Sequence, residues 1–192
     1  MIGLILLLLC SEADAELTQL RGQLTGLARS LEKLERPTGQ ISPAQLLELA
    51  RKTDCDDIHK ALEPHVLFVL NINPESRVKV ARGKAMAELA AGKSLAFLVR
   101  VDNTTGTAPL LRVGVDEGIP ADMLSGVTAR IHADKDTPAK LTGATVDYRL
   151  VCIEAKTPGR REALFRFDVG QGTQDVGFRG EVAVLFKVTD KK

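Results

Sequence analysis

The sequence predicts a mainly β protein, an antiparallel β-sandwich of about eight or nine strands preceded by an N-terminal helical arm. Leucines at alternating steps of three and four are confined to the first part of the chain. From residue 66 onward the apolar period changes to two. Turn residues then recur roughly every 8 to 15 positions, with no helix-length segment between them. The expected division is a signal peptide over 1–15, a helical arm over 16–63 and a sandwich of immunoglobulin-like type over 64–192.

The start, MIGLILLLLCSEADA, carries an apolar run from Ile2 to Leu9 and then Ala13-Asp14-Ala15, a small-x-small pattern suited to signal-peptide cleavage. The run is too short to span about 30 Å of hydrocarbon, so no integral membrane span is expected. Cys10 invites a lipoprotein reading, but Leu9 stands where a small residue would precede a lipidated cysteine. The expected destination is therefore the periplasm or the cell exterior.

From Leu17 the leucines at 17, 20, 24, 27, 31 and 34 form a heptad stripe on one helix, with Gly22 and Gly26 expected on its outer face. Each glycine costs about 1 kcal/mol relative to alanine, so an isolated coiled coil would be marginal. The simpler expectation is that the stripe packs on its own chain; a homo-oligomer through residues 17–34 is the alternative. Arg36-Pro37-Thr38-Gly39 ends the helix. Ser42 and Pro43 open a second one, with Leu46, Leu47, Leu49 and Ala50 on its apolar side. A shorter helix follows Asp56, carries Ile58 and Leu62 on one face, and is closed by Pro64.

The β region begins with the nearly continuous apolar run Val66–Ile72. Leu95, Phe97, Val99 and Val101 alternate with Ser94, Ala96, Arg100 and Asp102; Leu111, Val113 and Val115 alternate with Arg112, Gly114 and Asp116. Further strands are expected at 127–132, 144–154, 162–169 and 181–188, and short ones near 78–81 and 85–89. Ala91-Gly92-Lys93, Asn103-Thr104-Thr105-Gly106 and Thr157-Pro158-Gly159-Arg160 supply turns, and residues 115–125 form the longest crossover loop.

Composition narrows the function. Tryptophan is absent and tyrosine occurs once, which weakens stacking on sugars or bases. The formal charge is +1, rising to +3 once Glu12 and Asp14 are removed, and the basic residues are scattered, so nucleic acid is not an expected partner. Cys55 and Cys152 could pair in an oxidising compartment, but two free thiols are favoured because Cys152 falls on the apolar side of its strand.

The sequence predicts no catalytic site, no metal and no cofactor. His59, His65 and His132 lack partners at metal-ligand spacing. Ser125-Gly126 lacks the glycine and the helix of a nucleophile elbow. Gly170–Gly177 ends without Gly-Lys-Ser/Thr and leads into a strand, unlike a phosphate loop. Asp54, Asp56 and Asp57 are more simply explained by helix capping than by calcium; Asp168 and Asp175 are a weak calcium candidate.

The Gly170–Gly180 loop is the expected interaction surface. Gln171, Thr173, Gln174, Asp175 and Arg179 give it hydrogen-bonding capacity, its glycines let the backbone approach a neighbour, and Phe178 is its large apolar residue. The structural alternative has Phe178 plugging the sandwich end and Arg179 paired with Asp175.

Asn71-Ile72-Asn73-Pro74-Glu75-Ser76-Arg77-Val78, the Gly92 turn, Phe97-Leu98-Val99 and Thr107-Ala108-Pro109-Leu110 together resemble the N-terminal β-rich region of secreted PHP-type metallohydrolases related to carbaryl hydrolase. The block Gly159–Phe186, with Phe167-Asp168-Val169-Gly170-Gln171-Gly172-Thr173-Gln174-Asp175, resembles its continuation, so the likeness covers roughly residues 66–187. In that family the catalytic metal domain lies later in the chain, and none of the matching positions is catalytic. The resemblance implies an accessory portion without the enzyme. The expected function is thus an exported, non-catalytic module that binds a cell-envelope glycan or a separately encoded hydrolase. The alternatives are a metal-dependent hydrolase fragment using His65, His132 and nearby carboxylates, and a structural homo-oligomer.

Overall fold

The computed structural model describes residues 2–34, 40–170 and 178–190, with side chains from residue 13 onward. The helices are α1 (Ile2–Lys33), α2 (Pro43–Leu49) and α3 (Cys55–Leu62). The strands are β1 (Val66–Ile72), β2 (Val78–Arg82), β3 (Glu88–Ala90), β4 (Ser94–Asn103), β5 (Arg112–Val115), β6 (Val127–Ile131), β7 (Val146–Ala155), β8 (Gly159–Asp168) and β9 (Gly180–Thr189). The protein is mainly β, as expected. One sheet has the order β2-β1-β4-β7-β6 and the other β3-β9-β8-β5.

The sheets are mixed rather than purely antiparallel. β1 runs parallel to β4, and β3 parallel to β9. Alternation along a strand reports which face is buried and says nothing of the neighbour's direction, so this pairing had no sequence signal.

The layer between the sheets is aromatic. Phe68 lies 4.8 Å from Phe165 and 5.0 Å from Phe167, and Phe186 lies 5.8 Å from Phe165 and 6.4 Å from Phe97, centroid to centroid. These tilted and edge-to-face contacts add to the area buried by Val99, Val101, Val151 and Ile153 from the facing strands.

A third layer explains why β4 and β7 are apolar on both faces. The other side of β4 (Ala96, Leu98) and of β7 (Tyr148, Leu150, Cys152) packs beneath Leu20, Leu24, Leu27 and Leu31 of α1, Leu46 of α2, and Ile58 and Leu62 of α3. The heptad stripe is therefore occupied within one chain, and an oligomer through it would require the arm to leave the sheet. Ser42 caps α2 in a capping box with Gln45, and Asp54 caps α3 by accepting from the Asp57 N–H at 2.9 Å. Leu47, expected on the apolar side of α2, is exposed.

The two α1 glycines do not face solvent together. Gly22 is exposed, as expected of the outer face, whereas Gly26, buried one turn on and four residues before Ser30, meets the segment after β6. A Cβ on Gly26 would stand 2.6 Å from the Asp136 carbonyl oxygen, so the helix backbone approaches that segment at a distance only glycine allows. Ser30 Oγ, fully buried, donates to Asp134 at 2.9 Å and meets Thr137 Oγ1 at 2.8 Å. Where β6 diverges from β7, the Gln23 side chain takes the place of a strand, accepting from Tyr148 N at 2.9 Å and donating to Val146 O at 3.3 Å.

The 115–125 crossover is tied down by Asp116, which is buried with φ 52°. Its carboxylate accepts from Leu164 N at 3.0 Å, from Ser125 N at 2.8 Å and from the Ser125 hydroxyl.

Candidate functional site

Parallel pairing of β1 with β4, and the contact of Gly180 with Val78 and Val80, bring the 73–77 turn, the segment after Asn103 and the described residues on either side of 171–177 to one end of the sandwich. Of the six interaction-loop residues predicted above, Gln171, Thr173, Gln174 and Asp175 lie outside the described residues, and so does the Asp175 half of the calcium candidate. Phe178 is half-buried and Arg179 exposed. The Arg77 guanidinium stands over the Phe178 ring, 5.8 Å from its centroid, and its Nε is 3.1 Å from the Glu75 carboxylate. Phe178 is thus clamped by the turn between β1 and β2. On the far side, the Arg112 guanidinium packs against the position where a Gly170 Cβ would project, 3.2 Å away. Sequence reasoning missed Arg77 and Arg112. Only the neighbouring strands carry them to the loop, although the β1–β2 turn residue Ser76, at φ 62°, belongs to the stretch already singled out.

The histidines are dispersed. Val66 pairs with Leu98, Leu98 with Leu150, and His132 N donates to Leu150 O, so His65 and His132 sit three strand spacings apart, about 14 Å. Metal ligands lie about 2 Å from a zinc ion, so these two do not share one. His132, expected on an outward face, is instead buried just past β6, with Nε2 3.5 Å from Asp134. It pairs with Leu150, on the sheet face that the helices cover, and strand alternation does not report which face that is. Among the described residues no group of three or more His, Cys, Asp or Glu side chains is gathered as a metal site would need.

Two polar clusters are structural. Burial would raise the Asp134 pKa, but the Thr137 N–H, the Ser30 hydroxyl, the Asp136 N–H and the Lys33 charge outweigh it and hold the carboxyl well below its ordinary range. Lys33 also bonds Asp136. The second cluster is a buried ion pair, Asp147 with Arg149 at 3.1 Å, on the core side of β7. Asp147 also accepts from Thr142 N at 3.0 Å and Thr142 Oγ1 at 2.8 Å, and Arg149 donates to Lys140 O at 2.8 Å. Burial lowers the Arg149 pKa, and Asp147 opposes that shift. Together these contacts pin the 132–145 segment to the sheet.

No disulfide joins Cys55 to Cys152. Burial, followed by the charges of Glu16, Asp54 and Asp56, raises the Cys55 pKa, so it is a poor nucleophile. No helix among the described residues is long and apolar enough to cross a membrane.

No family model and no curated protein matches the chain. Among solved structures, domains 4 and 5 of the S-layer protein SbsC overlap 59% of this chain and 52% of theirs, at 14% identity and a TM-score of 0.32. PbICP-C, solved in complex with falcipain-2, overlaps 54% of this chain and 84% of its own, at 14% identity and a TM-score of 0.28. The chain thus spans about half the length of the S-layer chain it matches. Similarities this low assign neither family nor function, which leaves the geometry of the sandwich end to carry the argument.

Proposed function

We propose that this chain is an exported, non-catalytic β-sandwich module that docks a partner through the sandwich end built from the 73–77 turn and the 170–180 loop. Export rests on the apolar start and the Ala13-Asp14-Ala15 pattern. The observation that carries the docking is Phe178. Five of the six phenylalanines lie in the inter-sheet core; Phe178 lies outside it, at the loop-bearing end, half-buried beneath Arg77 with Arg179 exposed beside it. A positioned aromatic flanked by arginines is the residue combination that dominates protein interfaces. A protein partner is therefore favoured over a glycan, and a separately encoded hydrolase is the partner that the resemblance of residues 66–187 suggests.

The test is retention of a purified partner by immobilised chain, compared with the triple variant Asp175→Ala, Phe178→Ala, Arg179→Ala. Loss of an aromatic anchor together with its arginine should weaken binding by about a hundredfold or more. The melt should stay cooperative, with only a modest loss from the half-buried Phe178 ring. Equal retention by the variant removes the proposal. Retention that is lost to added envelope glycan rather than to the substitutions assigns the glycan instead.

A further inference from the structure

We infer that the 73–77 turn is a positioning device for the Phe178 anchor: Arg77, aimed by the β1–β2 hairpin and steadied by Glu75, holds the ring in its docking pose before any partner arrives. The inference rests on the docking end proposed above and names the residues that pre-organise it. Arg77 acts through Phe178, which makes it a positioning residue.

Bonds within the turn lock it. Ser76 N donates to Asn73 O at 2.9 Å, Asn73 N to Arg77 O at 3.1 Å, and Arg77 N to Asn73 Oδ1 at 2.9 Å. Pro74 presets the first turn, and Ser76, at φ 62°, takes the left-handed conformation that a three-residue hairpin loop needs at its last position. Both backbone groups of Arg77 are therefore bonded, and its side chain leaves the hairpin from a fixed point.

A close approach brings the ring to that point. A Cβ on Gly180 would stand 3.0 Å from Val78 O and 3.1 Å from Val80 N, so the chain entering β9 lies against β2 at a distance that suits only glycine. Phe178, two residues earlier, is thereby delivered beneath the Arg77 guanidinium, 5.8 Å from its ring centroid. Glu75, 3.1 Å from Arg77 Nε, keeps the guanidinium there. An exposed cation–π contact shifts an equilibrium only about two- to fivefold, too little to decide the fold and enough to favour one ring orientation. Phe178 lies outside the inter-sheet core, so what this ordering serves is the surface. A side chain fixed in advance has less freedom to lose on association.

The clamp is read in the free chain, so it fails separately from docking: an unmoved retention assay removes the docking reading alone, and an unclamped ring removes this inference alone. Side-chain resonances of the labelled full chain are the test. The Phe178 ring should shift the Arg77 side-chain protons upfield, and Phe178→Leu should abolish that shift. Arg77→Met, which keeps the stem without the charge, should lower the population of the clamped ring by about two- to fivefold and move the Phe178 ring resonances toward those of free phenylalanine. Arg77→Lys should recover part of that change. Unshifted Arg77 protons in the native chain, Phe178 resonances unmoved by Arg77→Met, or equal changes in Arg77→Met and Arg77→Lys would overturn the inference. Unaltered Val78 and Val80 amide resonances show that the hairpin is intact. Should Arg77→Met disturb them, Glu75→Gln decides, because it leaves the backbone bonds of the turn in place; it should reduce the upfield shift of Arg77, and an unchanged shift there sinks the clamp.

Discussion

Gly22 and Gly26 stand one helical turn apart and look alike in the sequence, yet their surroundings differ by a backbone contact. Gly22→Ala adds a methyl to open space and removes a helix-propensity penalty, so the unfolding free energy should rise by up to about 1 kcal/mol. Gly26→Ala drives its methyl to 2.6 Å from the Asp136 carbonyl. The helix must then shift off the segment that holds Ser30, and a loss of about 1–3 kcal/mol is expected. Urea denaturation of the two variants checks this, and a common sign would show that α1 does not dock as described. The paired glycines were legible as unusual; which one is sterically required was not, because the contact lies more than a hundred residues away.

Among elements, α3 is tied to the sheet by His59, whose Nδ1 is 2.7 Å from the Tyr148 hydroxyl. Burial raises the phenol's pKa well above its ordinary value, so the hydroxyl stays protonated, and it shares a hydrogen bond with Nδ1 in either neutral tautomer of the imidazole. Burial, then the Arg100 charge, lowers the His59 pKa. A depressed folded-state value means the unfolded chain takes up the proton first. Stability from this tie is therefore present above the unfolded histidine value of about 6.5, and is lost as pH falls through the lower folded value. Between about pH 7 and pH 5 the native chain should lose more stability than His59→Gln, which keeps an acceptor for the phenol but cannot titrate. Parallel pH profiles would refute the tie. The sequence placed α3 and the strand around Tyr148 within a residue or two. It carried no sign that they meet, since a half-buried histidine looks the same whatever it faces.

For the whole molecule, the arm is the third layer of the sandwich rather than an appendage. Removing residues 16–33 would strip Leu20, Leu24, Leu27 and Leu31 from the outer face of β4 and β7, exposing Leu98, Tyr148 and Leu150 and breaking the Gln23 bonds to the β7 edge. An exposed apolar sheet face and a free strand edge favour aggregation. The truncated chain should lose its cooperative melt and give a higher mass by light scattering; a monodisperse protein with an unchanged melt would show that the arm is dispensable. Domain boundaries at 16–63 and 64–192 describe the order of elements along the chain, while the hydrophobic cluster under the arm draws on both segments.

By itself the sequence determined the class of each segment, because local periodicity follows from which side of an element is dry. The shift from 3.5 to 2, the Ser42-Pro43 start of α2 and the glycine turns placed nearly every helix and strand. It also singled out Phe178 and Arg179, from composition alone. Tertiary structure decided what those segments touch: β1 beside β4 in parallel, Arg77 over Phe178, Gly26 against Asp136, and the leucine stripe spent on the chain's own sheet. The reason is physical. Alternation and heptads report burial, a property of one element, whereas strand neighbours, clefts and ion pairs are set by residues far apart in sequence whose meeting depends on how every layer packs.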